Sequence, residues 1–190
     1  SHDNYNAIDP NIFQDNDGKL WMTFGSFWSG IKLIELDTLT LKPKSTSTLT
    51  SIASRPGVYA IEAPYLINKD NYYYLFVSFD YCARGVNSTY KIMVGRSRYI
   101  KGVYKDKAGR SMRFGGGNLL VSDYDQWIGP GHCAVYLEDE KSWLVYHAYD
   151  ANNNGIPTLR ISELIWDEDG WPLVEGITSG TSPLRYPRTR

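Results

Sequence analysis

Apolar positions along the chain come in short dense bursts. Stretches such as LWMTF (20–24), YYYLFVSF (72–79) and SWLVYHA (142–148) are apolar or aromatic at nearly every residue, with Asp, Asn and Gly between them. Amphipathic helices would space apolar residues at i, i+3, i+4 and i+7, and that spacing is hard to find here. Short runs of Val, Ile, Tyr, Phe, Trp and Leu bounded by turn residues predict an all-β chain. Runs that do not alternate predict sheets buried on both faces.

One pattern occurs three times. The copies are IDPNIFQDNDGKLWMTFGSF (8–27), IEAPYLINKDNYYYLFVSFD (61–80) and GHCAVYLEDEKSWLVYHAYD (131–150). In each, a polar residue opens a short apolar strand: Asp9, Glu62 and His132. A polar turn begins six residues later, at Asp15, Asn68 and Glu138. A second, aromatic-rich strand follows, then a third in GIKLIEL, KIMVGRS or TLRISELIW. The spacing predicts a fourth, outer strand near TLKPK (40–44), GVYKD (102–106) and WPLV (171–174).

A four-stranded antiparallel unit repeated along the chain is the pattern of a β-propeller blade. Three blades are expected, at about 5–55, 58–112 and 128–178. Blade-on-blade stacking buries both faces of each sheet, which accounts for the non-alternating strands. The competing fold is a β-sandwich in which the three matches are coincidence. In a propeller the first strand of each blade lines the axis, so Asp9, Glu62 and His132 converge at one end of it.

Composition narrows the partners. The net charge is −1 and the basic residues are scattered, which argues against a nucleic-acid surface. No apolar run reaches membrane-spanning length, and SHDNYNAIDP has no charged-then-apolar leader pattern. The 15 Tyr and 6 Trp suit both β packing and stacking on flat apolar ligand faces such as sugar rings. Cys82 and Cys133 make neither a disulfide framework nor a paired-cysteine metal motif, and read as free buried thiols.

An Asp, a Glu and a His in one polar funnel suit acid–base chemistry or metal binding. Two carboxylates flanking a bond, one protonated and one ionised, are the machinery of glycoside hydrolysis. Glu62, set between Ile61 and the Ala63-Pro64 pair, is the better candidate for the proton donor.

NAIDPNIF, GSFWSGIKL, AIEAPYL, GPGHCAVY and LVYHAYD followed by LRISELIWDEDGWP occur in one order from about Tyr5 to Val174. Together they closely resemble the arabinanases of glycoside hydrolase family 43. The resemblance implies a five-bladed propeller that hydrolyses α-1,5-linked L-arabinofuranose chains with inversion. It makes Glu62 the general acid and Asp9 the residue that tunes the acid's pKa and orients the sugar. His132 would stand on the axis beside a cation, calcium by expectation with sodium as the alternative, held otherwise by water. The family's third carboxylate, the general base, lies on its first blade. The context of Asp9 is that of a later blade, so three of five blades are expected here. The base and the first two blades would then come from a companion polypeptide.

Other residues follow from the same resemblance. Ser26, Phe27 and Trp28 are expected at the sugar subsites, as hydrogen-bond donor and platforms. Asp80, Tyr81 and Arg84 lie in a loop that would frame the cleft and are expected to touch substrate. His147 reads as a structural histidine, the Asn87 glycosylation pattern as chance, and Tyr99–Gly117 as an outer strand followed by a solvated connection. Alternatives within the family are exo-arabinanase, α-L-arabinofuranosidase and β-xylosidase action. The alternative from another class is a carbohydrate-binding propeller without catalysis. Polymeric arabinan as substrate would place the protein in a secreted or periplasmic setting.

Overall fold

The computed structural model describes residues 4–139 and 141–174. Their strands form three four-stranded antiparallel sheets, each ordered as the chain runs. The first holds β1 (Asn11–Gln14), β2 (Leu20–Phe24), β3 (Ile31–Leu36) and β4 (Thr50–Ala53). The second holds β5 (Ile61–Lys69), β6 (Tyr72–Phe79), β7 (Lys91–Ser97) and β8 (Asn118–Val121). The third holds β9 (Trp127–Glu138), β10 (Lys141–Asp150), β11 (Ile156–Trp166) and β12 (Pro172–Val174).

Local chemistry accounts for these hairpins. Asp70 and Asn71 both take left-handed backbone angles, φ 50° and 62°, as the tight turn between β5 and β6 requires. The longer turn between β1 and β2 is organised by Asp15. Its carboxylate accepts from the amides of Asp17 and Lys19 and, at 2.8 Å, from Trp21 Nε1.

Alternate residues of β6 serve two cores. Leu75, Val77 and Phe79 join Trp21, Leu33 and Ile52 between the first and second sheets. Tyr74 and Phe76 join Leu120, Val135, Leu144 and Leu164 between the second and third. Arg96 closes the second junction at its rim. Its guanidinium lies 4.2 Å from the Tyr72 ring centre and 4.3 Å from that of Trp171, and it donates to Asp169 O at 2.6 Å.

The outer strands correct the sequence expectation in two blades. TLKPK contributes one isolated bridge, Leu36 to Pro43, and GVYKD two, both at Lys105, to Arg96 and Ser111. The fourth strands are instead Thr50–Ala53 and Asn118–Val121, so the second sheet runs past residue 112. In the third blade WPLV is the outer strand, as expected. The Tyr99–Gly117 run is not a surface strand and solvated loop. Tyr104 and Met112 are fully buried there against the first core, and a Cβ at Gly95 would strike Met112 Sδ at 2.3 Å. Apolar surface that must leave water draws this connection inward.

The outward faces of the flanking sheets stay uncovered. On the first, Ile12 is 54% exposed beside Met22 and Ile34. On the third, Leu159 and Ile161 are 66% and 58% exposed beside His147 and Val145.

Candidate functional site

The inner strands each carry an irregularity at the same end. Asp9, Ala63 and His132 take left-handed angles of 56°, 52° and 50°, uncommon for residues with a side chain. Each stands two residues before the regular ladder at Asn11, Tyr65 and Ala134. In β5 and β9 the irregularity is a bulge, where one extra residue re-aims its neighbours. This corrects the sequence alignment by one residue: Ala63, not Glu62, is the counterpart of Asp9 and His132. The turns explain the slip. They begin at Asp70 and Asp139 rather than at Asn68 and Glu138, because β5 and β9 run further than the polar residues suggest.

Glu62 therefore points into the junction between the first two blades. Its Oε2 accepts from Ser26 Oγ at 2.7 Å. Its Oε1 accepts from Tyr90 OH at 2.7 Å and from the Cys82 thiol at 3.5 Å. The loop after β2 is pinned here by an isolated Ser26–Glu62 bridge and by Phe27 N donating to Ile61 O at 2.8 Å.

Asp9 lies behind Glu62, its Oδ2 accepting from Ala63 N at 3.2 Å. Burial pushes its carboxyl above the ordinary value. The His132 imidazole and the Ala63 amide oppose that rise, and the Glu62 charge adds to it. Asp9, His132 and His147 share a cavity of about 370 Å³ with Tyr65 and Leu159. Burial, reinforced by His132, holds His147 below its ordinary range, with Glu62 opposing. The cavity reaches the open face of the third blade, so His147 lines it.

Ser26, Phe27 and Trp28 line a second cleft of about 520 Å³ with Asn4, Asn6 and Tyr59. Phe27 leans on Tyr81, with ring centres 5.9 Å apart, and the Arg84 guanidinium lies over the Tyr81 ring at 4.2 Å. The Asp80 carboxylate is spanned by Arg55 at 2.7 Å and Lys91 at 2.8 Å, which makes it a strut between the first two blades. Burial favours its neutral form, but the hydrogen bonds from Lys91 and Arg55 outweigh that and hold it low.

Both cysteines are free. Burial pushes the Cys82 thiol up to about 11, aided by Glu62, and Cys133 up to about 12, so both stay protonated at neutral pH. As for the expected cation, His132 offers one imidazole. Among the described residues no three His, Cys, Asp or Glu side chains come together to hold a metal. A hard cation takes six or more oxygens, so these residues do not by themselves make its site. Tyr90, Ser78 and Arg55 had no signal in the sequence, because only the fold brings their polar ends to Glu62 and Asp80.

Antiparallel four-stranded sheets that meet at one end around two carboxylates and an imidazole define a β-propeller with a polar axis. The chain belongs to glycosyl hydrolases family 43, whose model matches residues 1–172. It is 56% identical over 173 residues to an extracellular endo-α-(1→5)-L-arabinanase of Bacillus subtilis, covering 90% of this chain and 52% of that protein. It is 44% identical over 183 residues to an extracellular exo-α-(1→5)-L-arabinofuranosidase of Cellvibrio japonicus, covering 91% and 53%. Among solved structures, the Cellvibrio cellulosa α-L-arabinanase complexed with arabinohexaose superposes with a TM-score of 0.88 at 43% identity, covering 92% of this chain and 58% of that one. An endo-arabinanase from Bacillus licheniformis superposes at 0.84 with 54% identity, covering 91% and 58%. The chain thus spans about half the length of the curated relatives it matches. Those propellers have five blades, and three are present here.

Proposed function

We propose that this chain is the acid-bearing part of an inverting glycoside hydrolase acting on α-1,5-linked L-arabinofuranosyl chains. The observation that carries the reading is the Glu62 carboxyl, held at a blade junction between two hydroxyl groups with Asp9 behind it. Glu62 gives its proton to the leaving glycosidic oxygen, while a water attacks the opposite face of the sugar. Asp9 keeps a second charge near the acid and orients the sugar. Ser26, Phe27, Trp28 and Tyr81 form the subsite wall, where flat aromatic faces take the sugar rings.

The attacking water needs a base carboxylate roughly 6.5–9.5 Å from the acid. Two further blades, carried by a companion polypeptide, supply it and cover the open faces of the first and third sheets. A cation beside His132, calcium or sodium, would draw on those blades or on water for its other ligands, and no step is routed through it. The extracellular names of the relatives support a secreted or periplasmic setting. No helix among the described residues is long and apolar enough to cross a membrane.

The test is hydrolysis of linear arabinan by this chain combined with the companion blades. Glu62→Gln is expected to lower kcat by about 10²–10⁴-fold, with affinity for arabino-oligosaccharide retained. Product lengths, with aryl arabinoside and xylobiose as comparison substrates, separate endo-arabinanase from exo, arabinofuranosidase and xylosidase action. Oligosaccharide binding with no turnover in the complete assembly would replace this reading with that of a binding propeller.

A further inference from the structure

Behind Glu62 stand two buried hydroxyl groups, those of Tyr90 and Ser78. The His132 backbone amide donates to Ser78 Oγ at 2.8 Å, and an amide can only donate. Ser78 is fully buried and stands beside the Tyr90 phenol, which it helps to draw down against burial. Tyr90, 1% exposed, spends its single hydrogen on Glu62 Oε1 at 2.7 Å. Burial, with the Glu62 charge next, pushes the Tyr90 phenol far above its ordinary range, so it remains a donor at every working pH.

The backbone is shaped to allow this. A Cβ on Gly131 would stand 2.0 Å from Tyr90 Cδ1, so β9 passes flat against the ring and delivers the next amide, that of His132, to Ser78. The third blade thereby reaches the carboxyl of the second.

We infer that Tyr90 is a positioning residue for Glu62, and that its hydroxyl, donating to Oε1, leaves the Glu62 proton to Oε2. The inference deepens the reading of Glu62 as the acid and rests on it for its catalytic meaning. Oε1 receives Tyr90 and the Cys82 thiol, both as donors. Oε2 faces Ser26, whose hydroxyl can donate to the carboxylate and turn to accept from the neutral acid. Ser26 also lines the cleft with Phe27 and Trp28, so the proton sits on the side from which a sugar would arrive.

The variant is Tyr90→Phe, which keeps the ring and removes the hydroxyl. In the isolated chain, the Glu62 carboxyl carbon is followed by ¹³C NMR through a pH titration. Losing a donor to the charged form should make Glu62 take up its proton about one pH unit higher than in the unaltered chain. An unchanged midpoint in a folded variant overturns the inference. Ser78→Ala leaves the phenol in place but removes the hydroxyl beside it. It should move the midpoint the same way by less, and it decides the matter if the Phe variant does not fold.

In the complete assembly, Tyr90→Phe should lower kcat about tenfold with KM unchanged and move the alkaline limb of the pH–rate profile upward. A raised KM with kcat intact would make Tyr90 a binding residue instead and also overturn the inference. If the unaltered assembly does not hydrolyse arabinan while the NMR midpoint still moves, the functional reading fails and the positioning inference stands.

Discussion

The middle sheet and the two that flank it are made of similar strands, yet they meet very different surroundings. Every residue of β6 from Tyr74 to Phe79 is buried, even residues toward the third blade and odd ones toward the first. In β11 the pattern is split: Leu164 is buried in the second core, while Leu159, Ile161 and Ile165 face outward into solvent. The third sheet thus carries apolar side chains on the face turned away from the middle one, where the middle sheet has both faces covered.

The sharpest way to test that contrast is to remove a side chain on each kind of face. Phe76→Ala, at a fully buried position, should cost about 3–5 kcal/mol by urea denaturation. Nearly equal losses at Phe76 and at an outward residue of β11 would break the comparison.

A smaller effect is expected at the strut between the first two blades. Asp80→Asn keeps the shape but loses the charge that Arg55 and Lys91 share, and should cost about 1 kcal/mol at neutral pH, kept small by solvent access. The sign with pH follows from the lowered folded-state value. Stability from this carboxylate is fully present above its ordinary 3.8 and is lost as pH falls through the lower folded value. The gap between the two proteins should therefore close on acidification, and a gap that widened would assign Asp80 another role.

The smallest change in folding stability is expected from Ile161→Ser, within about 0.5 kcal/mol, because the side chain already faces water. Its effect should instead appear in self-association, which light scattering would show reduced. If the unaltered chain is already a monodisperse 21.6 kDa monomer, the open faces need no partner and the companion blades lose their support.

Much of this was legible in the residues. The aromatic bursts and turn residues placed β6, β7 and the inner hairpins, because β propensity and turn chemistry are local properties. The outer strands of the first two blades were misplaced because edge strands are short and weakly patterned. The connection through Tyr104 and Met112 reads as polar in sequence, yet its two apolar anchors decide its course. At the site, Asp9, Glu62 and His132 are legible from their place in a repeat, but Glu62 falls one residue out of register, since β5 runs further than its polar residues announce.

The amino-acid order alone determined an all-β repeat, its inner strands and the three polar residues at their heads, because side-chain period and turn preference act over a few neighbouring residues. Only the tertiary structure decided that Glu62 meets Ser26 and Tyr90, and that Asp80 is a strut. Only it set Gly131 flat against Tyr90 to bring a backbone amide to Ser78. Those contacts join residues tens of positions apart, and their geometry exists only once blades have stacked to take apolar surface out of water.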